Sequence, residues 1–158
     1  AQKLRALAFA ADVPFVMNDR VDLALLAGAD GLHLGQDDLP LASARQLAPA
    51  LVLGLSTHSP AQARAGARAG ADLLGFGPVF DTRSKANPDP VVGLAALSEV
   101  VRSVKVPVIA IGGITIDTAA DVLRAGARLG AVIGAVGEAE DPERAARALH
   151  AALGGKPR

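Results

Sequence analysis

Apolar residues fall into six short runs along the chain, separated by longer segments of mixed polarity. The runs cover residues 15–17, 31–34, 51–55, 73–76, 106–111 and 131–133. Each is nearly uninterrupted and is bounded by glycine or polar residues, which is typical of strands buried on both faces of a parallel sheet. We therefore predict six parallel strands.

The segments between these runs carry Ala, Leu and Arg at helical spacing. They cover residues 21–26, 41–47, 60–69, 94–104, 115–125 and 142–153, and residues 2–11 predict a further helix before the first strand. This regular alternation predicts parallel strands joined by crossover helices, an α/β architecture. Ala-Gly-Ala recurs at 27–29, 69–71 and 125–127, where glycine accepts the left-handed conformation just past a helix end.

Composition supports a folded domain and excludes several classes of partner. The chain has 158 residues, 51% of them apolar, and 16 Lys and Arg balance 16 Asp and Glu. Zero net charge and 3% aromatic residues leave neither a basic surface nor a stacking platform, so we expect no nucleic-acid partner.

The apolar runs are far shorter than the roughly 20 residues that span a bilayer, and no signal-peptide pattern opens the chain. We expect a cytoplasmic protein with no membrane partner. The absence of cysteine excludes disulfides and thiol nucleophiles.

Polar and glycine residues gather after the predicted strands. Parallel α/β proteins build their sites at the carboxyl ends of strands. The clusters cover 18–20, 35–38, 56–59, 77–93, 112–115 and 134–137. The segment 77–93 is the longest, and a loop of that length in a compact domain is typical of a functional lid.

Two aspartates follow consecutive predicted strands. Asp19 and Asp38 would therefore lie near each other at one edge of the sheet. Two carboxylates completed by water and phosphate oxygens commonly hold Mg²⁺, which is the cofactor that we predict. The alternative is that each aspartate caps the following helix.

Glycines after the last two strands suggest a phosphate site. Gly112, Gly113, Ile133 and Gly134 lie where backbone N–H groups can surround a phosphate without side chains. Eight-stranded α/β barrels often bind phosphate after their last two strands. The alternative is a pair of plain glycine turns.

The long loop carries a lysine that follows two hydroxyl residues. Lys85, with Thr82 and Ser84, suits the closure of a loop over an oxyanion. The alternative is an ordinary solvated lysine.

None of the three histidines is assigned a catalytic role. His33 inside a strand and His150 on the last helix are interpreted as structural. His58 lies near Ser56, but no acid is placed to complete a triad, so nucleophilic serine catalysis is not expected.

Five motifs, in order, resemble those of the thiamine phosphate synthase family. They are MNDR at 17–20, GLHLGQDD at 31–38, LGLSTHS at 53–59, GPVF at 77–80 with TRSK at 82–85, and AIGGI at 110–114. The resemblance covers nearly the whole chain. It implies a (β/α)8 TIM barrel and a transferase of thiamine biosynthesis, which joins hydroxymethylpyrimidine diphosphate to hydroxyethylthiazole phosphate and releases diphosphate with Mg²⁺.

The resemblance also implies roles for individual residues. It implies Mg²⁺ ligands at Asp19 and Asp38, and contacts to the pyrimidine diphosphate at Asn18, Ser56 and Lys85, of which Ser56 and Lys85 are the catalytic pair. It implies thiazole phosphate contacts at Thr82, Ser84, Gly113, Ile133 and Gly134. The expected partners are thus small phosphorylated molecules, and assembly as a homo-oligomer is compatible with this picture.

The chain departs from the family pattern in three places. Gly134 stands where the family commonly has serine, and residues 127–130 differ from the usual Ala-Asp-Gly, so weaker binding of thiazole phosphate is expected. The family's first two strands, with their Gln/Arg/Lys cluster, have no counterpart. We therefore expect one partial TIM-barrel domain over 1–158 that contains the third to eighth βα units, lacks the two N-terminal units and exposes two sheet edges.

Two alternative functions remain open on the sequence. A thiazole tautomerase of the same fold resembles the chain too, but that family usually loses the acidic pair and has histidine where this sequence has Pro78. Asp38 and Pro78 thus favour the synthase. The other alternative is an inactive, truncated phosphate-binding module.

Overall fold

The six strands form one parallel sheet whose order follows the sequence. The computed structural model describes residues 1–82 and 89–155. Its strands are β1 (Val16–Asn18), β2 (Gly31–Leu34), β3 (Val52–Thr57), β4 (Leu73–Phe76), β5 (Val108–Ile111) and β6 (Leu129–Ala131). Because the order never reverses, every crossover advances the sheet in one direction, as in barrels and unlike doubly wound sheets. The prediction of a parallel α/β architecture is confirmed.

The helices between the strands begin and end close to the predicted residues. They are α1 (Gln2–Ala10), α2 (Val21–Ala27), α3 (Leu41–Leu47), α4 (Pro60–Arg68), α5 (Gly93–Ser103), α6 (Ile116–Arg124), α7 (Gly134–Gly137) and α8 (Pro142–Ala152). The short α7 is the exception, because the sequence pattern does not predict it. Gly28, Gly70 and Gly126 have φ of 62°, 91° and 98°, as expected of glycines that follow helix ends. Within the described part of the chain, no helix is both long and apolar enough to cross a membrane.

The strand register divides the side chains of the sheet between two faces. One face packs against the helices, and its large side chains, such as Leu53, Leu74 and Phe76, are fully buried. The opposite face, called here the inner face, carries Val16, Asn18, Gly31, His33, Val52, Gly54, Ser56, Leu73, Gly75, Ile109, Ile111, Leu129 and Ala131. The inner face is more accessible, with Val52 46% and Leu129 54% exposed.

Two strand assignments need correction. β3 runs two residues past its predicted end, so Ser56 lies within the strand rather than in the loop after it. β6 precedes its predicted position, because Leu129 pairs with Ile109 in the parallel ladder. Ile133 is outside the strand and 64% exposed, because its carbonyl accepts hydrogen bonds from the Val136 and Gly137 N–H groups and the chain turns into α7.

Aspartates at the amino ends of β2 and β4 tie neighbouring strands together. Asp72 Oδ2 accepts a hydrogen bond from the Leu53 N–H at 2.7 Å, and it pairs with Arg45 at 2.6 Å. In the same way, Asp30 Oδ2 accepts a hydrogen bond from the Phe15 N–H at 2.7 Å. Burial acts to raise the pKa of the Asp72 carboxyl, but the hydrogen bonds from Leu53 and Arg45 outweigh it and hold the pKa below its usual value.

Substitutions at Asp72 test this role. Asp72→Ala leaves the N–H of the buried Leu53 without its acceptor, so we expect the free energy of unfolding to fall by about 1–3 kcal/mol in urea denaturation. Asp72→Asn keeps an acceptor for that N–H and loses only the exposed ion pair, so a loss below about 1 kcal/mol is expected. Equal losses for the two variants would show that the Leu53 contact is unimportant.

The same carboxyl predicts a pH dependence. Since the folded-state pKa of Asp72 is depressed, its contribution to stability is present above the unfolded pKa of about 3.9 and is lost as the pH falls through the folded-state pKa. Asp72→Asn should remove this part of the acid sensitivity, measured as stability against pH.

Candidate active site

The first candidate ligand lies directly after β1 in an unusual backbone conformation. Asp19 has φ of 61°, which is uncommon outside glycine, and its N–H donates to the His33 carbonyl at 2.8 Å. The backbone ladder between β1 and β2 thus extends to this residue. Conformations of this kind cluster at functional sites. The capping alternative for Asp19 is wrong, because Arg20 and not Asp19 occupies the N-cap position of α2.

The second candidate ligand closes the turn after β2. The Asp38 carboxylate accepts a hydrogen bond from the Gly35 N–H at 2.6 Å, which folds the turn back onto the end of the strand. The capping alternative is wrong here too, because the N-cap of α3 is Pro40.

The two carboxylates suit Mg²⁺ in type and number. Asn18 at the end of β1 pairs with His33 near the end of β2. Asp19 follows β1 and Asp38 lies in the turn after β2, so both aspartates lie at the carboxyl ends of neighbouring strands. No group of three or more His, Asp or Glu side chains in the described residues is arranged to hold a metal. Two protein oxygens are nevertheless the usual contribution to a Mg²⁺ ion that keeps waters and binds substrate phosphates.

Ser56 lies on the inner face and is held by two residues that sequence reasoning missed. Its Oγ is 2.9 Å from His33 Nε2, and its carbonyl accepts a hydrogen bond from Gln36 Nε2 at 2.6 Å. Burial lowers the pKa of the His33 imidazole below its usual value, and the charge of Asp38 opposes that shift. His33 and Gln36 both lie within the motif at 31–38, but only the pairing of β2 with β3 shows that His33 lies beside Ser56.

The loop after β4 runs alongside the end of β5. Val79 N–H donates to the Ile111 carbonyl at 2.9 Å, and Phe80 N–H donates to the Gly112 carbonyl at 3.1 Å. At Gly113, with φ of 65°, an added Cβ would lie 2.2 Å from the Asp81 carbonyl oxygen. Only glycine fits this approach. Thr82 follows Asp81 directly and therefore lies at the same end of the sheet, whereas the predicted residues Ser84 and Lys85 are outside the described residues.

The segment after β6 lies next to the segment after β5. Ile111 pairs with Ala131, so the residues that follow β5 and β6 are neighbours at the carboxyl edge. Gly134 begins α7, and an added Cβ there would lie 3.2 Å from Glu138 Oε1. The motifs gave no indication of this carboxylate, which places a negative charge beside a predicted phosphate contact.

His58 joins β3 to the loop after β4. Its Nδ1 lies 2.6 Å from the Gly77 carbonyl oxygen, and its Nε2 lies 3.6 Å from the Asp89 carboxylate. Since Ser56 bonds to His33 and not to His58, the residues do not form a serine triad.

Polar groups from successive strands thus meet at one edge of an in-order parallel sheet, the arrangement of α/β enzymes with a site at their carboxyl ends. Comparison with known proteins makes the assignment more specific. A family model described as thiamine monophosphate synthase matches residues 1–136. The chain belongs to this family and is a transferase of thiamine biosynthesis.

Individual relatives agree with the family match. The thiamine-phosphate synthase of Anaeromyxobacter dehalogenans is 55% identical over 151 residues, which cover 94% of this chain and 68% of the relative. That of Chloroflexus aurantiacus is 48% identical, with coverage of 96% and 70%. The solved thiamine phosphate pyrophosphorylase from Pyrococcus furiosus is 42% identical, with a TM-score of 0.90 over 97% of this chain and 73% of that one. The resemblance stated from the motifs is therefore confirmed, and these relatives carry the synthase name rather than that of a tautomerase.

Two glycine substitutions separate steric demand from backbone strain. Gly28 and Gly113 have φ of 62° and 65°, but an added Cβ has no atom within 4 Å at Gly28. We expect Gly28→Ala to cost about 1–2 kcal/mol in unfolding experiments and to leave activity unchanged. Gly113→Ala should cost more and raise the KM for thiazole phosphate, because its Cβ displaces Asp81. Equal effects of the two variants would contradict a steric requirement at Gly113.

Proposed function

We propose that this chain forms thiamine phosphate from hydroxymethylpyrimidine diphosphate and hydroxyethylthiazole phosphate at the carboxyl edge of its sheet, with Mg²⁺ as cofactor. The observation that carries the proposal is the position of Asp19, Asp38 and Ser56 at the carboxyl ends of three neighbouring strands. Family membership supports the reaction, and the common position of these residues supports the assignment of the diphosphate to that end of the sheet.

The diphosphate end of the proposed site lies over β1, β2 and β3. Asp19 and Asp38 would hold Mg²⁺, which when bound neutralises charge on the diphosphate oxygens. Asn18, at the end of β1 on the inner face, and the Ser56 hydroxyl would donate hydrogen bonds to the pyrimidine diphosphate. Lys85, from the loop after β4, is proposed to add a positive charge to the same group.

The reaction needs charge stabilisation rather than a protein nucleophile. The C–O bond to diphosphate breaks with its electron pair on the leaving oxygen, and the electron-rich aminopyrimidine tolerates the resulting cation. The lone pair of the thiazole nitrogen then forms the new C–N bond. Hydrogen bonds aimed at the departing diphosphate favour this step, because they strengthen as negative charge develops there.

The thiazole phosphate end is proposed to lie over β4, β5 and β6. Backbone groups at Gly113, Ile133 and Gly134 would contact the phosphate, with hydroxyls from Thr82 and Ser84. The Glu138 carboxylate near Gly134 opposes a dianionic ligand, in keeping with the weaker thiazole phosphate binding expected from the missing serine hydroxyl.

We propose further that β1 to β6 correspond to the third to eighth strands of a (β/α)8 barrel. The in-order strand sequence and the accessible inner face support this assignment.

The direct test mixes this chain with both substrates and Mg²⁺ and follows thiamine phosphate by chromatography. We expect product to accumulate with the enzyme and Mg²⁺ together, and not with either alone. Absence of product with a folded chain would favour the inactive phosphate-binding module.

The metal assignment is tested by neighbouring aspartates. Asp38→Asn keeps an acceptor for the Gly35 N–H but removes the negative charge, so we expect roughly a hundredfold or greater loss of Mg²⁺-dependent turnover with the fold intact. Asp37→Asn, at the exposed adjacent position, is the control and should retain activity. Calorimetric titration with Mg²⁺ and diphosphate should show weakened binding for Asp38→Asn alone. Equal behaviour of the two variants would refute the metal assignment.

A further inference from the structure

The inner face contains a slot that fits the His33 ring. His33, Gly54 and Gly75 lie on three neighbouring strands, and their alternation places all three on this face. An added Cβ at Gly54 would lie 2.3 Å from His33 Nδ1, and one at Gly75 would lie 3.2 Å from His33 Cε1. The imidazole therefore extends from β2 across β3 towards β4, over positions that carry no side chain.

This slot directs one ring nitrogen at Ser56. Nε2 is 2.9 Å from Ser56 Oγ, while the Gln36 side chain fixes the carbonyl of the same serine at 2.6 Å. The backbone of His33 is fixed as well, since its carbonyl accepts the Asp19 N–H at 2.8 Å. One residue thus connects the turn of the predicted metal ligand to the predicted substrate hydroxyl.

The direction of the His33 to Ser56 hydrogen bond decides what the hydroxyl can do. A serine hydroxyl has one hydrogen to donate and can also accept. If Nε2 accepted that hydrogen, the hydroxyl would have only acceptor capacity left and would repel an anionic diphosphate oxygen. If Nε2–H donates, the hydroxyl hydrogen is available for the anion.

We propose that His33 is a positioning residue for the diphosphate site, whose Nε2–H donates to Ser56 Oγ and thereby directs the Ser56 hydroxyl hydrogen at a diphosphate oxygen. This inference rests on the proposed function, because it assigns the diphosphate to Ser56. It goes beyond that function by giving a role to His33 and a reason for glycine at two inner-face positions. A side chain at Gly54 would occupy the space of the ring, and one at Gly75 would push the ring away from Ser56.

The test is a double-mutant cycle read out as the Kd for inorganic diphosphate in the presence of Mg²⁺, measured by calorimetry on the full chain. We expect Ser56→Ala and His33→Ala each to weaken binding by about tenfold, the value of one hydrogen bond to a charged group. Because His33 acts through Ser56, the double variant should bind no more than about twofold more weakly than Ser56→Ala.

Conservative variants separate positioning from packing. His33→Gln provides an amide nitrogen near the location of Nε2 and should restore binding to within about threefold of the unsubstituted chain, whereas His33→Asn is too short and should not. Gly75→Ala retains the imidazole but crowds it, so it should weaken binding only when Ser56 is present. His150→Gln on α8 is the histidine control and should bind normally.

The outcomes separate the positioning role of His33 from the proposed function on which it rests. If Ser56→Ala binds diphosphate normally, or the unsubstituted chain does not bind it, the diphosphate assignment is wrong and the role of His33 is wrong with it. If Ser56→Ala weakens binding but the effects of His33→Ala and Ser56→Ala add, the proposed function stands and the positioning role is refuted. Should His33→Ala fail to fold, the Gly75→Ala cycle gives the same decision.

Discussion

The in-order parallel hydrogen bonding of β1 to β6 is the constraint on which the polar edge depends. The carboxyl ends of parallel strands all lie on one side of a sheet, so residues far apart in sequence meet there. The ladder even continues past the strand ends, through the Asp19 N–H to His33 and the Val79 N–H to Ile111. These backbone contacts fix residues that directly follow the strands, where most of the candidate functional residues lie.

The amino and carboxyl ends of the strands carry aspartates with different roles. At the amino ends of the strands, the carboxylates of Asp30 and Asp72 accept hydrogen bonds from backbone N–H groups of the neighbouring strand or the segment before it, and from arginines. Their role is therefore structural. At the carboxyl ends of the strands, Asp19 and Asp38 do not occupy the N-cap positions of the helices that follow them, and Asp38 accepts the Gly35 N–H within its own turn rather than joining two strands. The residue type alone does not separate these pairs. Their position relative to the strand, before it or after it, does.

The sequence pattern predicts the helices closely because their amphipathic spacing and their glycine ends are local signals, as at Gly28 and Gly126. It misplaces β6 because the ladder with β5, a non-local interaction, selects Leu129 over Ile133. His33 was interpreted as structural for the same reason. The position of its ring depends on the space left by Gly54 on the next strand, and nothing near His33 in sequence reveals that pairing.

The width of the sheet places a condition on catalysis. Parallel strands are about 4.8 Å apart, so the ends of β2 and β5 would be about 14 Å apart on a flat sheet. The reacting carbon and nitrogen must approach to about 3–3.5 Å. In the proposed site the two substrates therefore extend from their phosphate ends towards the strands between them, and their own lengths, with the curvature of the sheet about its inner face, cover the remaining distance. Ser56 on β3 belongs to those central strands. In the proposed site a hydroxyl there would face the diphosphate as the C–O bond breaks, so the direction of its hydrogen would decide whether it stabilises the charge that develops.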